Sequence, residues 1–344
     1  MSGACGNGSK KCPISRFKGR MRRVKRSVRN HAYVWSNGVL GTFNGLRKAS
    51  LRVALVSSEK WKGKEYDDLL LQRALIRMGA KAEIVAFEDL SVDWEKYDRV
   101  VVRSMWGYQN EMAEFSSWMD RIRESGVPVF NSLEIIKANY DKARQFEILK
   151  DLPVIPTEVI KMGSLEKAES AKDFLSVLEK KGKKIASSYP FVVKPAISAS
   201  GENTFLISSE EELLRILPKL VRIGSKKDLL VQSYVPEISD GELGVVMISG
   251  KISHVVRRFP GVLTGEGYRV LLEAGVIDRE LTALCEKVYE KYPGALYLRV
   301  DVVRREDAYV IMEVEAFEPA LFFGVLRGEA RKKALGAMVK GILG

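Results

Sequence analysis

The sequence predicts an α/β domain on a parallel sheet, followed by an α+β region rich in antiparallel hairpins. Three observations predict it. Short apolar strands alternate with amphipathic helices from Leu51 to Phe130, the pattern of a parallel sheet covered on both faces. After Lys184 that alternation gives way to strand-like segments joined by tight turns. The 344 residues suffice for two domains of ordinary size.

Taken in order, Leu51 to Ser57 reads as a strand, Tyr66 to Met78 as a helix stopped by Gly79, and Ala82 to Phe87 and Asp98 to Arg103 as further strands. A helix around Glu111 to Glu124 and a strand from Val127 to Phe130 complete this part. Asn131 is placed to cap a short helix, Asp141 to Leu149 continues the helical pattern, and Leu165 to Lys180 is amphipathic. Phe191 to Lys194 is a strand, Ala196 to Gly201 a small-residue loop, and Asn203 to Ile207 a strand. Ser209 and Glu212 form a capping box. Asp228 to Tyr234, Glu242 to Ser249 and Ile252 to Phe259 read as strands, the last two turning at Gly250-Lys251. Leu296 to Val303 and Tyr309 to Glu315 form another antiparallel pair. No internal repeat is present.

The net charge of +12 is confined to one end: residues 1–50 hold 12 Lys/Arg and no Asp or Glu, and the rest is balanced. This basic segment is expected to be a disordered tail that binds nucleic acid only non-specifically; a presequence and a start codon placed too early are the alternatives. No recognition-fold signature supports a specific nucleic-acid role. No apolar run approaches the ~20 residues of a membrane span, so a cytoplasmic, membrane-free protein is expected. Cys5, Cys12 and Cys285 are too few and too widely spaced for a zinc knuckle. With only His31 and His254, a histidine zinc site or a Ser-His-Asp hydrolase has little material.

Three segments carry chemistry. In Phe191-Val-Val-Lys194-Pro-Ala-Ile-Ser198-Ala-Ser200-Gly201 a lysine ends an apolar strand and small residues follow. Small side chains let backbone N–H groups approach phosphate oxygens, and the lysine adds a point charge. The alternative is a solvated lysine before an ordinary turn. Near the other end stand Arg299-Val-Asp301 and Met312-Glu313-Val-Glu315. Glu313 and Glu315 are two apart in a strand and share a face, which Asp301 joins if the hairpin register allows. Three carboxylates on one face call for a cation, and hard oxygen ligands suit magnesium. The alternative is an acidic face opposed by arginines. The third segment, Gln232-Ser233-Tyr234-Val235-Pro236, ends a strand in a turn whose backbone groups suit a flat base edge; an ordinary strand end is the competing reading.

Arg103, Trp106 and Tyr108 stand at the carboxyl end of a predicted parallel strand, where α/β sheets bind ligands. Trp106 and Tyr108 either shape a substrate pocket or pack a domain seam. Arg257, Arg258 and Arg269 flank a Gly-rich segment, Gly261 to Gly267, read as a mobile lid; they either clamp a substrate carboxylate or form a solvated basic face. His254 on the same hairpin reads as structural.

The order Asp141-Lys142, Val-Val-Lys194-Pro with its loop, Val-Gln-Ser-Tyr-Val-Pro, Gly241-Glu242, Arg-Val-Asp301 and Glu-Val-Glu resembles the ATP-grasp superfamily, from about residue 52 to 325. The segments Arg103 to Tyr108, Lys194 to Gly201, Ser253 to Arg257 and Glu313 to Pro319 are similar to the glutathione-synthetase-like branch that contains the D-cycloserine-forming cyclo-ligase. The resemblance implies a Rossmann-like pre-ATP-grasp domain over 51–130. An ATP-grasp domain of two α+β subdomains would span 131–344, the smaller about 150–230 and the larger about 231–344. It implies that Lys142 and Lys194 hold phosphates, that the loop bearing Ser198, Ser200 and Gly201 closes over them, and that Gln232, Ser233, Tyr234 and Val235 read adenine. Glu242 would approach the ribose. Asp301, Glu313 and Glu315 would bind Mg2+ (or Mn2+), and Arg299 would neutralise charge at the transferring phosphoryl group. Position 315 is Glu where many relatives carry Asn, and position 107 is Gly where the branch usually has Asp. The implied activity is ATP-dependent carboxylate–amine ligation through an acyl-phosphate, giving ADP and phosphate, with small-molecule substrates. A cyclo-ligase or phosphotransferase at the same site, or a nucleotide sensor without turnover, are the alternatives. The oligomeric state is left open, a homodimer included.

Overall fold

The structure, a computed structural model, describes residues 50–179, 185, 189–199, 201–259 and 269–344. The expectations for the basic tail, Ser200 and the Gly261 to Gly267 segment lie outside the described residues.

The first sheet is parallel and built from β1 (Arg52–Ser57), β2 (Lys81–Ala86), β3 (Arg99–Val102) and β4 (Val129–Phe130), in the order β2-β1-β3-β4. The apolar run of β1 fits its place: Val53 to Val56 are fully buried between neighbours on both sides. The crossovers are α1 (Tyr66–Arg77), stopped by Gly79 at positive φ, and α2 (Met112–Ser125), stopped by Gly126 at positive φ.

Two short helices follow, α3 (Leu133–Asn139) and α4 (Lys142–Ile148). The cap of α3 is Ser132, not the expected Asn131. Asn131 is buried, and its amide donates to the carbonyls of Tyr297 and Ala316 and accepts from the Leu296 N–H. A side chain so fully used across the chain is not free to cap.

The second sheet holds β5 (Thr157–Ile160), β6 (Phe191–Pro195), β7 (Phe205–Ile207) and β8 (Leu229–Ser233), antiparallel in the order β5-β8-β6-β7. Two helices cover one face, α5 (Ala171–Glu179) and α6 (Glu210–Gly224), and Phe174, Leu213, Leu217 and Leu220 bury against Phe191, Val193 and Val231. The helix expected from Leu165 begins only at Ala171, because residues 162–167 form turns. The strand expected from Asn203 begins at Phe205, since Asn203 has positive φ. Ser209 caps α6 through the Glu212 N–H, but the return bond from Glu212 reaches Ser208.

The third sheet is antiparallel: β9 (Glu242–Ile248), β10 (Lys251–Phe259), β11 (Arg269–Glu273), β12 (Tyr297–Arg305) and β13 (Ala308–Glu315), in the order β11-β10-β9-β12-β13. The turn between β9 and β10 is Ser249-Gly250, one residue earlier than expected; both have positive φ, as a two-residue hairpin of this twist requires. Helix α7 (Arg279–Glu290) covers one face with Leu281, Leu284, Cys285 and Val288.

The C-terminal helix α8 (Gly328–Leu343) sets Leu335, Met338, Val339 and Ile342 into one cluster with Val53 and Leu55 of β1, Leu71 and Leu75 of α1, and Val246 and Ile248 of β9. Residues 49–344 accordingly form one compact unit. None of the described helices is long and apolar enough to cross a membrane.

Candidate active site

The site grows from the register of the third sheet. Asp301 pairs with Glu313 and Arg299 with Glu315, and Asp301 also faces Gly244 on β9. The register that the sequence left open therefore puts all three acids on one face, with Arg299 among them. Gly244 opens the middle of that face: a Cβ there would lie 3.2 Å from Val256, 3.3 Å from Arg299 Cδ and 3.4 Å from Asp301 Oδ1.

The lysines reach this face from other elements. Lys194 ends β6, and its Nζ is 3.7 Å from Glu313 Oε2. Lys142 opens α4, and its Nζ is 3.2 Å from Glu313 Oε1. Lys142 also donates to the Ser198 carbonyl from its side chain and to Ala196 from its backbone, so α4 is bonded to the small-residue loop. Two bases from distant parts of the chain thus converge on one carboxylate. Against its burial they hold Glu313 down to about 2. Burial lowers Lys194, with Glu313 opposing.

Arg299 is buried and donates to both Asp301 oxygens at 2.7 and 2.9 Å, to Glu315, and to the Ala320 carbonyl at 3.1 Å. Arg258 pairs with Asp301 at 2.5 Å and with Glu242. Burial drives Glu242 up to about 7 despite Arg258 beside it. Burial likewise raises Glu315 against Arg299.

The remaining predicted residues divide. Ser198 is buried and donates to Pro195 O at 3.0 Å, and Gly201 has positive φ, so the loop turns back on the strand beside Lys194. Gln232 is buried and spends its amide on Thr157 Oγ1 at 2.8 Å. The Ser233 N–H bonds Pro156 O, Tyr234 is half-buried, and Val235 is buried with Phe146, Ile155 and Leu230. Arg257 points to the opposite face from Arg258, held by Glu273 at 3.0 Å and by the carbonyls of Asp240 and Gly241. Arg269 stacks over Phe259 at 4.2 Å, on the same face as Arg257. Arg103 is buried, paired with Asp68 at 3.2 Å and stacked on Tyr297 at 5.3 Å. Tyr108 is buried, packs on Phe317 and donates to Tyr140 O at 3.2 Å. Trp106 donates its indole N–H to Glu318 O at 3.0 Å. Arg257 and Arg269 thus lie apart from the charged cluster, and Arg103 and Tyr108 serve the seam.

Sequence reasoning passed over several residues. Asn139 and Gln145 each clasp the outer edge of β13: Gln145 exchanges two bonds with Val314, and Asn139 donates to Val314 O and accepts from the Ala316 N–H. They sit on helices α3 and α4 among apolar residues, and that was the available signal. Asp67 accepts from the Gly324 N–H at 2.8 Å and Asp68 from Ser104, fastening the loop after β13 to α1. Gln109 and Asn110 donate to Glu202 at 3.2 and 3.4 Å, and Lys227 donates to Gln109 O at 2.8 Å.

A buried, mixed-charge face between two sheets, with lysines brought to it by a strand end and a helix start, defines a nucleotide-dependent ligase of the ATP-grasp class. The comparisons agree. The family model for the D-cycloserine synthetase DcsG N-terminal domain matches residues 53–131, and that for the prokaryotic glutathione synthetase ATP-grasp domain matches 170–314. The cycloserine biosynthesis protein DcsG of Streptomyces lavendulae is 26% identical over 274 residues, 75% of this chain and 88% of that protein. Among solved structures, D-cycloserine synthetase DcsG superposes with a TM-score of 0.69 at 21% identity, covering 85% of this chain and 99% of that one. D-alanine–D-alanine ligase from Bacillus anthracis, solved with ATP, gives 0.58 at 14% identity over 85% and 95% of the two chains. These superpositions show a shared fold.

The chain belongs to the ATP-grasp superfamily and is an ATP-dependent ligase that forms ADP and phosphate. Within that superfamily it is homologous to the D-cycloserine synthetase DcsG.

Proposed function

We propose that the chain activates the carboxylate of a small amino-acid-like substrate as an acyl-phosphate, which a nitrogen nucleophile then attacks to release phosphate. The observation that carries this reading is the meeting of Lys142 and Lys194 on Glu313, on the face that also bears Arg299, Asp301 and Glu315. The Glu313 carboxylate is the anion that both lysines grip, and the same two lysines would hold the nucleotide phosphates.

Asp301, Glu313 and Glu315 share a face and offer the hard oxygen donors that magnesium prefers, so these are the residues that would hold it. Among the described residues no three acidic or metal-ligating side chains are gathered at one point; Glu313 is paired with Lys142, and Asp301 and Glu315 with Arg299. Magnesium, once bound, neutralises phosphate charge. Lys142, Lys194 and the loop bearing Ser198, Ser200 and Gly201 would hold the triphosphate. The turn from Gln232 through Ser233 and Tyr234 to Val235 would take the base, and Glu242 the ribose. Arg299, held by Asp301 and Glu315, would neutralise charge on the transferring phosphoryl group. Catalysis on this reading is positioning and charge neutralisation.

One observation favours a ring-forming version: the N-terminal match is to a cycloserine-forming synthetase. Activation would be identical, and the nitrogen would come from the same molecule. The test is ADP release with a panel of amino acids, MgATP and hydroxylamine. Trapped hydroxamate supports the acyl-phosphate. ADP without hydroxamate on any competent substrate favours phosphotransfer, and tight ATP binding without ADP release sinks the ligase mechanism.

A further inference from the structure

Glu318 lies three residues beyond Glu315 in the loop after β13, and it is only 9% exposed. Its Oε2 is buried without a hydrogen-bond partner. The carboxylate feels Lys142 and Arg299 as attractions and Glu313 and Glu315 as repulsions, so it faces the charged cluster. Those two bases are engaged elsewhere: Lys142 with Glu313 and Ser198 O, Arg299 with Asp301, Glu315 and Ala320 O. A buried carboxylate oxygen left without a hydrogen-bond partner is costly, and a cationic donor from outside the chain would supply that partner.

The wall beside it is aromatic. Trp106 is fixed at Glu318 by the bond from its indole N–H to the Glu318 carbonyl. Trp61, from the loop after β1, packs edge-on against Trp106 with centroids 5.2 Å apart and planes at 84°. Ser58 donates to the Trp106 carbonyl at 3.0 Å and ties the two loops together. Indole faces attract organic cations.

We propose that Glu318, with Trp106 and Trp61, forms a subsite for the protonated amine of the substrate. The proposal deepens the ligase reading and rests on it: the molecule activated carries a free amino group, so amino acids are accepted and the matching hydroxy acids are not. Burial and Glu315 raise the Glu318 carboxyl well above its ordinary range, and an ammonium beside it favours the charged form and draws it back down.

The test compares wild type with Glu318→Gln by thermal midpoint, first with MgADP, then with MgADP plus a panel of L- and D-amino acids and their matched 2-hydroxy acids. In the wild type, MgADP raises the midpoint, at least one amino acid raises it further, and its hydroxy analogue does not. In Glu318→Gln the MgADP shift persists and the amino-acid shift disappears; in turnover, the KM for that amino acid rises about 10- to 100-fold while the KM for MgATP stays within about twofold of wild type. Should the variant not fold, Trp61→Ala must weaken the amino-acid shift and spare the MgADP shift. The subsite is overturned, with the ligase reading intact, if no amino compound adds to the MgADP shift or if hydroxy acids serve equally. It is also overturned if Glu318→Gln retains the amino-acid shift or loses the MgADP shift instead. If MgADP itself does not shift the wild type, both the ligase reading and the subsite fall.

Discussion

Glu313 concentrates the electrostatics of the site in one side chain. Lys142 and Lys194 hold it at about 2, below the ordinary 4.5, so the folded protein binds its proton less readily than the unfolded chain. The stability it lends is complete above about pH 4.5 and is lost as the pH falls toward 2. The difference in unfolding midpoint between wild type and Glu313→Gln should therefore be largest near neutrality and close as the pH drops through that window. A constant difference across the window would contradict the pairing. Gly244 makes a second prediction at this scale. The added methyl of Gly244→Ala would press on Val256, Arg299 and Asp301. Displacing Arg299 should lower kcat/KM for ADP release about tenfold, roughly 1.4 kcal/mol in the barrier, while the melting temperature changes little. An unaffected rate would show that Arg299 has room to spare.

The acids on β12 and β13 are held in place from outside the sheet. β13 is an edge strand, and an open edge would leave its backbone groups unpaired. Asn139 and Gln145, from α3 and α4, pair with Val314 and Ala316, while Ile155 and Pro153 exchange bonds with Ile311. The same helix α4 starts with Lys142, so the strand carrying Glu313 and Glu315 is bonded directly to the element carrying one of their partners. Gln145→Ala removes both bonds to Val314 and should cost about 2–4 kcal/mol of stability, counting two groups stranded in a buried edge. Urea unfolding would measure this, and a cost below about 0.5 kcal/mol would mean that water restores the edge. The contact from Gln109 and Asn110 to Glu202 ties the loop after β3 to the loop after β6, which is proposed to hold phosphate. Glu202→Ala should raise the KM for ATP several-fold and leave kcat nearly intact; a fall in kcat alone would show that this contact does not govern nucleotide binding.

For the molecule as a whole, the core ignores the boundary that the sequence suggests at residue 130. Met338 on α8 is fully buried in a cluster shared by β1, α1 and β9. Met338→Ala should destabilise by about 2–5 kcal/mol and lower the stability of the first and third sheets together. Separate transitions by tryptophan fluorescence, which reports the first sheet through Trp94 and Trp118, and by far-UV signal would argue instead for independently stable parts.

The sequence alone determined the alternation of β1, α1, β2 and β3, the hairpins of the third sheet, and the chemistry-bearing segments, because local periodicity and turn residues encode them. It singled out Lys142, Lys194, Asp301, Glu313 and Glu315 through motifs that keep their order along the chain, and the fold brings these side chains together. It could not show which of Arg257 and Arg258 looks toward the acids, because the register of β10 against β9 decides that. It read Asn131 as a helix cap because a local role is all that a neighbouring sequence displays. The long-range bonds from Asn131, Asn139 and Gln145 close across more than 150 residues and leave no local trace. Only the tertiary structure decided that Glu318 ends as a buried, partly unpaired carboxylate beside Trp106, since burial is a property of what packs around a residue. The order of the residues fixed which charges the site can hold. Packing between distant elements fixed which of them meet and which still await a partner.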